Sequence, residues 1–447
     1  MRRTLVAIIG LLGAGCQDGE SRSRMVAVGN GSADIAKLVA AAAPVPCESP
    51  SAFVPNSVAG QGHGHGMRPH RQQDVEECPL AVTDEDFVDA AATAALVTKF
   101  LDVAAAQLDA GNAGVAWTCA DRATDLAARS VDAHLLRGGA LAALGRYEEA
   151  MVAFSMALAI APNDVVALRT VADAYLRARS EAVAGPTYAA LALEVATRGY
   201  ELARTKRVDK QLISELATVR AAALNYLGRG TEALIAVDAA LRLVPDQVDA
   251  QYERAAALFD LHRFGEAKAA LQKLLVRRPE DAAGHDLLGQ TLEWLGDAAE
   301  ATQHFAQARK ISPDEYYPPQ IISEAEFRAE IETVVKSLPV EKQNQLKTVR
   351  FEISDLPLIE DLASVSPPFP PSILGLFRGD WGAEDSVAST TLSNPATGPS
   401  IVLYRKNLGR SAHTRLELSE QIRDTVLHEV GHFDGLDEDD LRRRRME

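Results

Sequence analysis

The chain has 447 residues but only four cysteines, and no two of them stand in C-x-x-C spacing. That removes a cysteine-ligated zinc knuckle or ribbon. No excess of positive charge is present either. The formal net charge of −16 argues against nucleic acid as the main partner. The N-terminal apolar run, residues 5–12, falls far short of the roughly 20 residues that a permanent membrane helix needs. Residues 17–80 lack any sustained hydrophobic period and are rich in Ser, Gly and Pro. They read as a flexible tether, and His63, His65 and His70 inside it read as linker histidines rather than a metal site. Elsewhere the chain has what folding requires. Hydrophobic residues make up 47% of it, and its length suits two or three domains.

At the N-terminus, the basic Met1-Arg2-Arg3 precedes the apolar run, and small residues then lead to Cys16. The arrangement marks a targeting segment. It resembles a bacterial lipoprotein signal over residues 1–16, which implies lipid modification of Cys16 after cleavage. Gly13 stands where such signals carry a larger aliphatic residue, so ordinary cleavage and secretion is the alternative. Gln17 is not the aspartate associated with inner-membrane retention, which favours an outer-membrane tether. The expectation is an exported protein of the periplasm or outer membrane, anchored by lipid. In an oxidising compartment Cys47 and Cys78 are a candidate disulfide, and Cys119 is expected to be buried in a helix.

The middle of the chain repeats. Pro245, Pro279 and Pro313 fall 34 residues apart, as do Gly228, His262 and Gly296. Residues 282–315 carry Gly289, Gly296, Ala301, Phe305, Ala308 and Pro313, and residues 131–164 carry Gly138, Gly145, Tyr147, Ala150, Phe154, Ala157 and Pro162 in matching order. This is the tetratricopeptide (TPR) signature. Residues 97–130 read as a degenerate first copy, because Gly111 precedes Gly145 by one period. The 83 residues from Pro162 to Pro245 hold one ordinary repeat and one with a longer helix or loop, broken near Gly185-Pro186. Each repeat is a helix pair that cannot bury its apolar face alone, so stacked pairs share a core and leave a groove. Small residues such as Ala150, Ala233, Ala267 and Ala301 let paired helices approach closely. The groove suits a protein or peptide partner. Removing residues 97–315 is expected to spare hydrolysis of a generic peptide and abolish partner selection.

Fifteen residues from the end stands His428-Glu429-Val430-Gly431-His432, an H-E-x-x-H motif. Histidines at i and i+4 share one helix face. Their imidazoles can grip one zinc ion while the intervening glutamate acts on its water. Ile422, Val426, Leu427, Val430 and Phe433 recur at helical spacing, Thr414 to Glu417 form a capping box, and Gly435 sits where a left-handed C-cap is wanted. The turn at Gly435 brings Asp437 and Glu438 within reach as a third ligand. A carboxylate there would leave the fourth position open, as catalytic zinc requires.

Residues 428–441, HEVGHFDGLDEDDL, resemble the bacterial zincin-like metallopeptidase family. The likeness extends upstream through Ser323-Glu324-Ala325-Glu326-Phe327, Ser337-Leu338-Pro339, Phe351-Glu352-Ile353, Leu374 to Gly379, and Ile401 to Arg405, and so covers residues 322–445. The chain departs at Phe433-Asp434, where the family usually has His-Phe. The resemblance implies His428 and His432 as ligands of one Zn2+, Glu429 as general base, and Glu438 as the third ligand, with Asp437 as its alternative. It implies peptide hydrolysis. Residues 400–404 could be an edge strand that pairs with extended substrate, or a core strand.

The architecture expected is multidomain. A signal (1–16) and tether (17–80) precede an all-α TPR solenoid (81–315), a linker (316–322) and a small α+β zincin-like domain (323–447). The expected function is an exported zinc metallopeptidase. The competing class is a non-catalytic adaptor with a structural or idle zinc site.

Overall fold

The structure, a computed structural model, describes residues 77–178, 185–379, 398–436 and 440–441. The signal, nearly all of the tether, Cys16, Cys47 and the three tether histidines lie outside the described residues.

Twelve described helices form the array as successive pairs: α1 (Ala90–Asp109) with α2 (Ala113–Leu126), α3 (Val131–Ala143) with α4 (Tyr147–Ile160), α5 (Val165–Ala178) with α6 (Gly185–Lys206), α7 (Lys210–Tyr226) with α8 (Gly230–Leu243), α9 (Val248–Asp260) with α10 (Phe264–Arg277), and α11 (Ala282–Trp294) with α12 (Ala298–Ile311). The irregular interval in the sequence is taken up by α6, which runs for 22 residues. α1 is long and apolar enough to cross a membrane, yet its Leu96, Phe100 and Ala104 are buried in a core shared with Cys119 and Ala120 of α2.

The repeat is legible in atoms. Turns between paired helices place Gly111, Gly145, Gly228 and Gly296 at positive φ, where a residue without Cβ is at ease. Ala150, Ala233, Ala267 and Ala301 are all buried. A Cβ on Gly138 would lie 2.6 Å from the Phe154 ring and one on Gly289 2.7 Å from the Phe305 ring, so each aromatic fills the space its facing glycine leaves. A further recurrent contact ties down three of the turns that join one pair to the next. His134, Gln251 and His285 each approach the carbonyl oxygen six residues upstream, on Ala128, Pro245 and Pro279 respectively, at 3.0 Å. The carbonyl can only accept, so each ring or amide nitrogen donates. His285 also lies 2.8 Å from His304 through their Nδ1 atoms, but its place in this repeat identifies it as a turn fastener.

The disulfide runs from Cys78 to Cys119, which corrects the Cys47–Cys78 pairing. Cys119 is buried in a repeat helix as expected, and the chain just before α1 folds back over α2 to reach it.

The C-terminal domain comprises α13 (Glu324–Ser337), α14 (Val340–Leu346), β1 (Arg350–Ser354), α15 (Ile359–Leu362), β2 (Gly375–Arg378), β3 (Ser400–Tyr404), α16 (Arg405–Ser411) and α17 (Arg415–Phe433). α13 opens with a complete capping box between Ser323 and Glu326. The sheet order is β1-β3-β2, with β3 parallel to β1 and antiparallel to β2. Residues 400–404 are therefore the central strand and not an edge. All five are buried, since both sheet faces are covered. Phe377, Ile401 and Leu403 face a core with α13 and α17, through Phe327, Ile331, Ile422 and Val426. Leu376, Val402 and Tyr404 face a smaller core with Leu362 and Ile373, against which Phe369 and Trp294 of α11 pack.

The disulfide closes a segment spanning 41 residues around the first helix pair. Reduction, or the Cys78→Ser/Cys119→Ser double variant, is expected to lower the stability of this end by about 2–4 kcal/mol. A denaturant titration followed with and without reductant checks this, and an unmoved first transition would refute it.

Candidate metal centre

The site is built by the two ends of α17. At its N-terminus the Thr414 side chain accepts from the Glu417 amide, and Glu417 in return accepts from the His413 amide at 2.7 Å. Ile422, Val426 and Val430 then recur at helical spacing into the core, which fixes the roll of the helix. That roll carries His428, Glu429 and His432 inward, and their exposures are only 1%, 1% and 8%.

At the C-terminus the helix stops in a Schellman turn. Gly435 has φ +78°, its amide bonds the His432 carbonyl at 2.9 Å, and the Leu436 amide bonds the Gly431 carbonyl at 3.1 Å. The turn fixes the Leu436 carbonyl oxygen 3.0 Å from His432 Nδ1. A carbonyl only accepts, so Nδ1 carries the hydrogen and Nε2 keeps its lone pair. That Nε2 stands 3.1 Å from His428 Nε2, with the two rings nearly perpendicular at 86°.

This arrangement fits zinc. Two nitrogens about 2.0–2.1 Å from one tetrahedral ion stand about 3.3 Å apart, close to the separation here. Donation of the far ring nitrogen to a backbone carbonyl is the usual way a ligating histidine is oriented. No third His, Cys, Asp or Glu completes the group among the described residues. Glu438 and its alternative Asp437 lie outside the described residues.

Glu429 points toward β2. A Cβ on Gly375 would stand 3.1 Å from Glu429 Oε1 and 2.7 Å from Thr425 Cγ2. The glycine lets helix and strand approach until the carboxylate lies against bare backbone. On the other face of the sheet, Tyr404 is fully buried beside a charged cluster in which Arg378 bonds Asp361 and, at 2.9 Å, Glu352. Burial pushes the Tyr404 phenol up, reinforced by the negative charges of Asp361 and Glu429. It stays a neutral hydroxyl across the working pH range.

The departures at Phe433-Asp434 have structural partners. Phe433 packs edge-on to Phe377 at 6.0 Å, and Asp434 pairs with Lys342 of α14. Sequence reasoning had marked His428, Glu429, His432 and the Gly435 turn. It missed the Leu436 carbonyl, the contact of Gly375 with the carboxylate, and Tyr404. The first could have been found from Gly435 alone, since a Schellman turn dictates where the next carbonyl goes.

Residues 346–447 match the family described as zincin-like metallopeptidase, and residues 83–165 and 252–316 match the tetratricopeptide repeat. Among curated proteins, anaphase-promoting complex subunit 7 of Mus musculus and that of Homo sapiens are each 27% identical over 194 residues, 43% of this chain. The match covers only 32% of those relatives' own length. Among solved structures, a thermophilic TPR protein of Thermus thermophilus is 21% identical with a TM-score of 0.36, covering 44% of this chain and 98% of that one. PilF of Pseudomonas aeruginosa is 15% identical with a TM-score of 0.41, covering 53% of this chain and 98% of that one. The chain thus carries a zincin-like metallopeptidase domain behind TPR repeats.

Gly375→Ala is expected to cost about 1–3 kcal/mol of stability through the clash with the Thr425 methyl. Thr425→Ser removes that methyl, so the double variant should recover part of the loss. Thermal melts of the four proteins in this cycle check it, and additive losses would refute it.

Proposed function

With a zincin-like metallopeptidase domain behind a TPR array as premise, we propose that this chain is an exported, zinc-dependent peptidase that hydrolyses peptide bonds in proteins recruited by the array. The observation that carries the reading is the convergence of His428 and His432 Nε2 at 3.1 Å on a buried helix face, with Glu429 between them and equally buried. A purely structural metal site has no use for that carboxylate.

His428 and His432 would hold the ion, with Glu438 or Asp437 as the third ligand. Zinc there would supply a water acidified towards neutral pH and would polarise the scissile carbonyl. Glu429 takes the proton from the attacking water and returns it to the leaving amine nitrogen. The carboxylate needs no large movement for this, because α17 and the Gly375 backbone hold it from both sides. Among the described residues the outer edge of β2 carries no strand, so an extended substrate can add there as a further strand. β2 thus takes the role that the sequence had offered to residues 400–404.

The array's groove supplies protein recognition, the established strength of stacked helix pairs. The Cys78–Cys119 disulfide supports a location in an oxidising compartment, in line with the signal-like residues 1–16 and with lipidation at Cys16.

Glu429→Gln is expected to keep one zinc per chain and to lose cleavage of an unfolded protein by about 100-fold or more. His428→Ala should lose both. Metal analysis and a gel-based cleavage assay decide the matter. Equal activity in the wild type and Glu429→Gln would reject hydrolysis by this site and leave the adaptor reading.

A further inference from the structure

Three residues of the last two repeats, His262, Glu293 and Trp294, reach the C-terminal domain, and the first of them departs from the repeat pattern. His262 occupies the turn position that is glycine at Gly228 and Gly296, and it holds the same left-handed backbone, φ +59°. Few side-chain-bearing residues accept that conformation. Its Nε2–H donates to the carbonyl of Phe369 at 2.9 Å. Glu293 of α11 receives Arg410 and, at 3.3 Å, Lys406, both from α16. The Trp294 ring stacks on Phe264 at 5.0 Å and packs, with Phe369, against the core formed by Leu362, Ile373, Leu376, Val402 and Tyr404. The connecting segment is fastened as well. Tyr317 stacks on His413 at 3.5 Å and donates to the Arg410 carbonyl, and the Gln320 amide bonds the Gly409 carbonyl at 2.8 Å.

Of these contacts, the packing of Trp294 and Phe369 bears on β2. Leu376 turns its side chain into the core that Trp294 covers. The preceding residue, Gly375, faces the opposite way and lies against Glu429. One short strand therefore has the array behind it and the carboxylate of the metal centre in front. It has a hydrogen-bonded neighbour on only one side among the described residues, so its placement depends heavily on the packing of its faces.

We propose that Trp294 is a positioning residue for Glu429: by backing β2 on the face away from α17 it keeps Gly375 seated against the carboxylate, so the last repeat is part of the hydrolytic unit. The inference rests on the reading of Glu429 as general base. It reverses the expectation, formed on sequence alone, that the array can be removed without cost to cleavage of a generic peptide.

The test uses the full chain with Trp294→Ala and Trp294→Phe, and Val276→Ala, an exposed array residue, as control. Three measurements are made: zinc content, kcat and KM on a short peptide, and hydrogen exchange of the amides of residues 375–378 and 426–433. For Trp294→Ala we expect zinc retained, kcat lowered about tenfold or more with KM little changed, and faster exchange at both segments. Trp294→Phe should restore most of both, and Val276→Ala should match the wild type. Wild-type kcat and wild-type exchange in Trp294→Ala would overturn the proposal. A wild-type protein without peptidase activity would sink the functional reading alone, and exchange would still decide this one. Should Trp294→Ala lose its helical circular dichroism, the larger apolar replacement Trp294→Leu carries the test. Selective deprotection of residues 375–378 supports the proposal, and unchanged protection overturns it.

Discussion

The hydrogen bond from His432 Nδ1 to the Leu436 carbonyl is the constraint on which the candidate metal centre depends. It decides the tautomer, and the tautomer decides whether a lone pair or a hydrogen faces His428. The bond exists because the helix ends in a Schellman turn, and the turn exists because residue 435 is glycine. Local backbone chemistry thus reaches the centre in two steps. Helix roll, set by Ile422, Val426 and Val430, accounts for the other half of the geometry.

The second requirement is a place for the carboxylate. Glu429 lies deep in the domain, where an unsupported charge would be costly. Gly375 admits it against the backbone of β2, and Thr425 packs on the same spot. The opposite face of the strand is closed by Leu376, Phe369 and Trp294. The domain is therefore a thin three-stranded sheet with its own helices on one side, and on the other a cover to which the repeat array contributes. This division explains why β3 is buried throughout and why its residues resemble a core strand.

Much of this could be read from the residues. The period of Gly228, His262 and Gly296 announced the helix pairs, and the spacing of His428 and His432 announced the paired nitrogens. What stayed hidden was long-range. Strand order depends on contacts between distant segments, and a serine followed by four hydrophobic residues fits an edge or a centre equally well, so residues 400–404 were open to both readings. The partner of Cys78 was misjudged for a similar reason: pairing depends on how the chain folds over α2, and spacing does not report it. His262 was counted as a repeat member by position, but the chemistry that makes it unlike a glycine becomes visible only beside Phe369.

Burial of the two imidazoles, at 1% and 8% exposure, also has a kinetic corollary. Either imidazole would release a bound cation only when the end of α17 frays, so loss of the ion would be tied to the opening of one helical turn. Slow turnover of the ion, rather than great equilibrium affinity alone, would keep such a centre loaded where free zinc is scarce.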